Sequence, residues 1–116
     1  MSSTTGVVQN NTGLVLSFSA GGVSHGSTPN INLKTLQPGT SGTVFIANSD
    51  GAGVEGNITA AGPQGSGVSF NLFYDNPVVG SNSGSVTSNN PKYTGSCNVG
   101  GGDDNTNTYN LMPNPK

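Results

Sequence analysis

The sequence predicts an all-β protein, an antiparallel β-sandwich of two sheets, and three observations carry that expectation. Apolar residues alternate with polar ones over short runs and do not recur at the three-and-four spacing of a helix. Nineteen glycines in 116 residues interrupt almost every window in which a helix could propagate, and an interior glycine costs about 1 kcal/mol relative to alanine. Pro, Gly, Asn and Asp punctuate the chain about every 8–12 residues, the rhythm of a sandwich or barrel.

The elements follow in order. Val7 and Val8 open a strand that ends at the turn Asn10-Asn11-Thr12-Gly13. From Gly13 to Ala20, the alternation places Leu14, Leu16 and Phe18 on one sheet face. Ile31-Asn32-Leu33 alternates again and runs into the turn Leu36-Gln37-Pro38-Gly39. Thr43 to Ala47 is the next strand, broken at Asn48-Ser49-Asp50-Gly51. Gly53 to Ala60 follows, with Val54, Gly56 and Ile58 sharing a face. Gly62-Pro63-Gln64-Gly65 then connects a hairpin into Val68 to Tyr74, the strongest strand signal in the chain. Val68, Phe70, Leu72 and Tyr74 have one parity there. Asp75 to Asn82 reads as a turn where Phe73 and Tyr74 leave the sheet. Lys92 to Cys97 and Thr106 to Met112 close the chain on either side of Gly100-Gly101-Gly102-Asp103-Asp104. There is no internal repeat of useful length, and residues 1–116 are expected to form one domain.

Composition removes several functional classes. Apolar residues make up 30% of the chain and tryptophan is absent, so the core must be thin. Disordered chains combine low hydrophobicity with high net charge, whereas here the net charge is −2 and only 7% of residues are charged. Three scattered lysines, Lys34, Lys92 and Lys116, with no arginine, cannot build a phosphate-binding patch. Nucleic acid is thereby excluded as a partner, and electrostatic docking onto anionic lipid with it. Any membrane contact must use polar headgroup recognition or apolar insertion.

Cys97 stands alone, so no intramolecular disulfide forms; it reads as an inert buried thiol, the commoner case, or as a site of intermolecular oxidation. Met1 to Thr5 lacks the basic and apolar segments of a signal peptide, and no apolar run reaches the length of a membrane span. The expectation is a soluble chain, cytosolic as made or exported by a route that leaves no cleavable signal. The sequons Asn10-Asn11-Thr12 and Asn57-Ile58-Thr59 would matter only in a secretory compartment.

No motif supports catalysis, a cofactor or a metal. Gly51-Ala52-Gly53-Val54-Glu55-Gly56 matches a dinucleotide pattern, but strand and turn residues follow it where a helix N-terminus is required. His25 is the only histidine and reads as a loop residue without a special role, since serine or cysteine chemistry needs a base held by a third group. His25 and Cys97 are too few for zinc, which takes three or four ligands. Asp103-Asp104-Asn105 misses the spacing of a calcium loop. Of the five acids, Asp50, Asp75, Asp103 and Asp104 fall in turns or at strand ends; Glu55 alone sits within a strand.

Several of these segments, taken together, resemble the aegerolysin family, most closely the small subunit of binary insecticidal crystal toxins. Asn11-Thr12-Gly13 with its alternating leucines resembles the family's opening, and Gly53-Val54-Glu55-Gly56-Asn57-Ile58-Thr59 its central strand around a glutamate. Leu72-Phe73-Tyr74-Asp75-Asn76-Pro77-Val78-Val79-Gly80-Ser81-Asn82 is similar to the family signature in order and spacing. Gly100 to Leu111, with Tyr109, resembles its closing glycine-rich turn and strand. The resemblance implies a non-enzymatic protein that recognises membrane sphingolipid and joins a larger pore-forming partner protein in an insecticidal or cytolytic system. It also implies a lipid site: Glu55 for the headgroup, Phe73 and Tyr74 at the interface, and Asp75, Asn76, Pro77 and Asn82 shaping the loop. The chain departs from the family in carrying Val23-Ser24-His25 where a tryptophan is common, and Val78 where an aromatic follows the signature proline. The rival expectation is a sugar-binding lectin or a storage protein on the same scaffold. Both expectations leave the oligomeric state open.

Overall fold

The computed structural model describes residues 2–115; Met1 and Lys116, the last of the three lysines, lie outside the described residues. Ten strands run in chain order: β1 (Ser3–Asn10), β2 (Leu16–His25), β3 (Asn30–Ile31), β4 (Thr35–Leu36), β5 (Thr40–Asn48), β6 (Val54–Ala61), β7 (Ser69–Asn76), β8 (Ser83–Ser88), β9 (Tyr93–Val99) and β10 (Asp104–Pro113). They form two five-stranded sheets, ordered β3-β5-β1-β10-β9 and β4-β2-β6-β7-β8. Among the described residues, no helix is long and apolar enough to cross a membrane.

Period-two alternation places the core where the sequence reading put it. Val54, Gly56, Ile58 and Ala60 of β6, with Phe70, Leu72 and Tyr74 of β7, face inward. Val8, Tyr109 and Leu111 meet them from the other sheet. The two sheets are antiparallel, as the sequence predicts, save for one strand pair. β1 and β10, the first and last strands, lie side by side in parallel, from Ser3 opposite Asp104 to Asn10 opposite Leu111. A parallel pair needs a long crossover, and here almost the entire chain supplies it. Nothing in the local pattern of either strand reveals that partner.

Three other readings change. β8 passes unnoticed in the sequence because Ser83-Gly84-Ser85-Val86-Thr87-Ser88 contains a single large apolar residue. β2 starts at Leu16 and not Gly13, and runs on to His25. Two register irregularities, between Ala20 and Val23 and between Val23 and His25, bend its far half. β7 continues through Asn76, so Asp75 belongs to a strand and not a turn.

The core is graded. Its middle is aliphatic and aromatic, with Phe45 stacked obliquely between Tyr74 and Tyr109 at centroid distances of 5.2 and 6.1 Å. Toward the end that carries the 49–53, 77–82 and 100–103 loops, the buried residues become polar: Thr4, Ser49, Asn76, Asn105 and Asn107. Burying amides costs little when every one is hydrogen-bonded, and their bonds tie the loops at this end to both sheets.

Candidate functional site

Strand parity sends Glu55 and Asn57 of β6, and Asn71, Phe73 and Asp75 of β7, to the outer face of the second sheet. The register sets Glu55 directly opposite Asp75 and Asn57 opposite Phe73. β8 continues these rows, with Ser83 opposite Asp75 and Ser85 opposite Phe73. On the other flank, His25 of β2 is the register partner of Glu55. Its Nε2 lies 3.8 Å from Glu55 Oε1, with the two side chains 53% and 30% exposed. One row of four strands therefore reads His25, Glu55, Asp75, Ser83. Like charges directly opposite on an antiparallel pair repel, and no lysine among the described residues forms an ion pair with either carboxylate. The patch attracts cations. Beneath the row, the Asn57 Oδ1 accepts from the Gly22 amide at 2.9 Å and its Nδ2 donates to Asn71. These bonds hold the bulged half of β2 against β6.

At the adjoining end, a cleft of about 400 Å³ opens between the β7–β8 loop and the glycine-rich β9–β10 loop. Asn76, Pro77, Asn82, Gly100 and Asp103 contribute to its walls. Val78 and Val79 project from its rim, 68% and 87% exposed, and are the most exposed large apolar side chains of the described residues. An amide network makes this end rigid. Asn76 Nδ2 donates to the carbonyls of Asp103 (2.7 Å) and Ser3 (3.1 Å). Asn82 Nδ2 donates to the carbonyls of Gly100 and Gly102. Thr4 Oγ1 donates to Asn105 Oδ1, Asn105 Nδ2 to Asn107 Oδ1, Asn107 Nδ2 to Tyr109 Oη, and Tyr109 Oη to the Phe73 carbonyl at 2.7 Å. This chain of bonds starts on β1, runs along β10 and finishes on the backbone of the strand that carries Phe73 and Asp75.

The seven residues singled out in the sequence thus divide among three places. Glu55, Phe73 and Asp75 share the outer face, with Phe73 half-buried there. Asn76, Pro77 and Asn82 belong to the end cleft, but Asn76 is buried and its amide, like that of Asn82, is engaged in holding loops. Tyr74 corrects the expectation of an interfacial aromatic. Its parity turns it inward, where it is fully buried against Phe45 and offers no surface to a ligand. Burial pushes its phenol up to about 12. The sequence reads His25 as a loop residue because two irregularities hide its strand; its pairing with Glu55 emerges only from the register.

Other expectations meet their geometry here too. Asn10 of the first sequon is buried, and its Nδ2 donates to the Leu14 and Leu36 carbonyls while its Oδ1 accepts from Thr12. A glycan could not be attached there without opening the fold. Burial raises the Cys97 thiol to about 11, partly offset by a hydrogen bond with Tyr109, so it stays protonated at neutral pH and is a poor nucleophile. Among the described residues, no group of three or more His, Cys, Asp or Glu side chains converges as a metal site would. His25, Glu55 and Asp75 lie in a row across three neighbouring strands.

Comparison with known proteins agrees on the fold. No family model and no curated protein matches the sequence. Solved structures do match the architecture. The lipid binding protein Nakanori superposes with a TM-score of 0.73 at 15% identity, covering 96% of this chain and 71% of that one. IP-1A from Alcaligenes faecalis gives 0.66 at 14% identity, covering 97% and 91%. RahU, solved in complex with a TRIS molecule, gives 0.65 at 14% identity, covering 98% and 95%. The two-sheet architecture is the aegerolysin-like one that the sequence resemblance implies.

Proposed function

We propose that this chain is a non-enzymatic lipid-recognition protein of the aegerolysin kind, whose ligand is the amine-bearing headgroup of a membrane sphingolipid. One observation carries the reading: Glu55 and Asp75 stand directly opposite each other on an outer face, beside Phe73, at the end where Val78 and Val79 project. An ammonium group there donates charge-assisted hydrogen bonds to the carboxylates and meets the favourable face of an aromatic ring. The valines enter the apolar boundary of the membrane, gaining about 25 cal/mol for each Å² of apolar surface withdrawn from water. Pro77 and the amide-braced end cleft set the approach of the loop. The description of a similar fold as a lipid binding protein supports this reading, as does the resemblance of the Leu72–Asn82 segment to the family signature. The same resemblance supports a larger pore-forming partner protein in a two-component insecticidal or cytolytic system.

The test is surface-plasmon binding of wild type and Glu55→Ala to vesicles bearing an ethanolamine-headed or a choline-headed sphingolipid. A primary ammonium donates hydrogen bonds and a quaternary one cannot, so the substitution is expected to weaken ethanolamine binding more. Loss of one charged hydrogen bond corresponds to about tenfold or more in affinity. Equal affinities on both lipids, with thermal melts showing both proteins folded, would remove Glu55 from the site. A second reading, a lectin or storage protein on this scaffold, is favoured by the polar, glycine-walled end cleft. Wild type that binds neither lipid but binds on a glycan array would establish that reading instead.

A further inference from the structure

The headgroup site carries a side chain that no step of the recognition chemistry uses. His25 ends β2 opposite Glu55, and its Nε2 lies 3.8 Å from Glu55 Oε1. That separation is beyond a hydrogen bond but within reach of an ion pair. Imidazole is the side chain that gains a charge between about pH 8 and pH 5. The neighbours of Glu55 are unequal. From β7 it faces Asp75, a like charge, and from β2 it faces His25. Ser83 of β8, beyond Asp75, does not titrate. Asp50, in the turn before β6, folds back to accept from the Ala52 amide. His25 is therefore the one cationic partner within reach of Glu55 among the described residues.

We propose that His25 is a specificity-determining gate on the headgroup site: neutral, it leaves Glu55 open to a ligand ammonium, and protonated, it occupies Glu55 and repels that ammonium. The inference rests on the reading of Glu55 as the headgroup acceptor. Its sign is fixed by charge. Acidification supplies an internal cation that competes with the ligand's ammonium for Glu55, so that contact weakens as the imidazole is protonated. Both side chains are partly exposed, and an exposed pair of this kind changes affinity by about fivefold at most. Salt screens it further. The gate tunes binding and does not abolish it.

Two measurements test the gate, one without lipid. In the lipid-free protein, the Glu55 carboxyl carbon resonance is expected to move between pH 7.5 and pH 5.5 more in wild type than in His25→Gln. Equal movement in both overturns the gate whether or not vesicles bind. With vesicles of an ethanolamine-headed sphingolipid at low ionic strength, wild type is expected to bind more weakly at pH 5.5 than at pH 7.5, by up to about fivefold. His25→Gln is expected to bind with the same affinity at both. Wild-type affinity that is flat with pH, or a fall at pH 5.5 that survives in His25→Gln, overturns the gate and leaves the lipid reading standing. Wild type that binds at neither pH overturns the lipid reading and the gate's role with it, while the resonance still reports on the His25–Glu55 pair.

Discussion

Tyr74 buries a hydroxyl that has no hydrogen-bond partner. Space for it exists because its cross-strand neighbour is glycine: a Cβ on Gly56 would sit 2.6 Å from the Tyr74 Oη and 2.7 Å from the Gly22 carbonyl. An unpaired buried hydroxyl costs about 1–3 kcal/mol. Tyr74→Phe is therefore expected to hold or raise the melting temperature at pH 7.5. A fall of more than about 4 °C, roughly 1 kcal/mol for a domain of this size, would show that the hydroxyl has a partner. The same residue sets an alkaline limit. Its folded pKa, about 12, lies above the ordinary phenol value of 10.0. The associated stability is fully present below about pH 10 and is lost as pH rises toward 12. Melts of wild type from pH 9 to pH 12 should fall over that window. Tyr74→Phe should fall less, but not stay level, because burial raises the Tyr109 phenol as well. At this scale the sequence supplied parity, and parity already turns Tyr74 inward with Phe70 and Leu72. The expectation of an interfacial tyrosine rests on the family resemblance, not on the alternation.

Among the elements, β1 shows how a small residue makes room for a large one. The β1–β5 register slips between Gly6 and Val7, so that Val44 is an extra residue and both Val44 and Phe45 point into the core. The Phe45 ring then occupies the space a side chain on Gly6 would take. Phe45 is fully buried between two tyrosines and has nowhere to retreat. Gly6→Ala is expected to destabilise the fold by about 2 kcal/mol, a fall of about 8 °C in melting temperature. A melt within a degree of wild type would mean that the ring finds another position. Bulges of this kind are hard to read in a sequence. Val44-Phe45-Ile46 is a continuous apolar run, and only the slip against β1 reveals which two of its residues face inward. β8 is illegible for the opposite reason: as an edge strand of serines, glycine and threonine, it has almost no apolar face to show.

At the scale of the whole molecule, the outer faces are polar and the large apolar side chains left exposed among the described residues are five valines, Val15, Val23, Val78, Val79 and Val99. Membrane contact, under the proposed function, rests on Val78 and Val79 beside the end cleft. Under the proposed function, the protein alone at low micromolar concentration is therefore expected to bind vesicles without releasing an entrapped dye. Dye release by this chain alone would contradict the need for a larger partner. The parallel β1–β10 pair bears on stability at this scale too. The first and last strands are central neighbours in one sheet, so the sheet is complete only when both ends of the described chain are in place.

By itself, the sequence determined the fold class, most of the strands and which face of each turns inward. Alternation, glycine and turn chemistry are local, and a residue's parity travels with its own strand. Glu55 stood out for the same reason, as an acid on the outward parity of a strand. Only the tertiary structure decided which strands are neighbours. It set Asp75 and His25 on either side of Glu55, engaged the Nδ2 atoms of Asn76 and Asn82 in bracing the loops, and laid β1 beside β10. Cross-strand partnership depends on register between segments far apart in the chain. A single bulge shifts that register by one residue, and neither strand's own pattern records the shift.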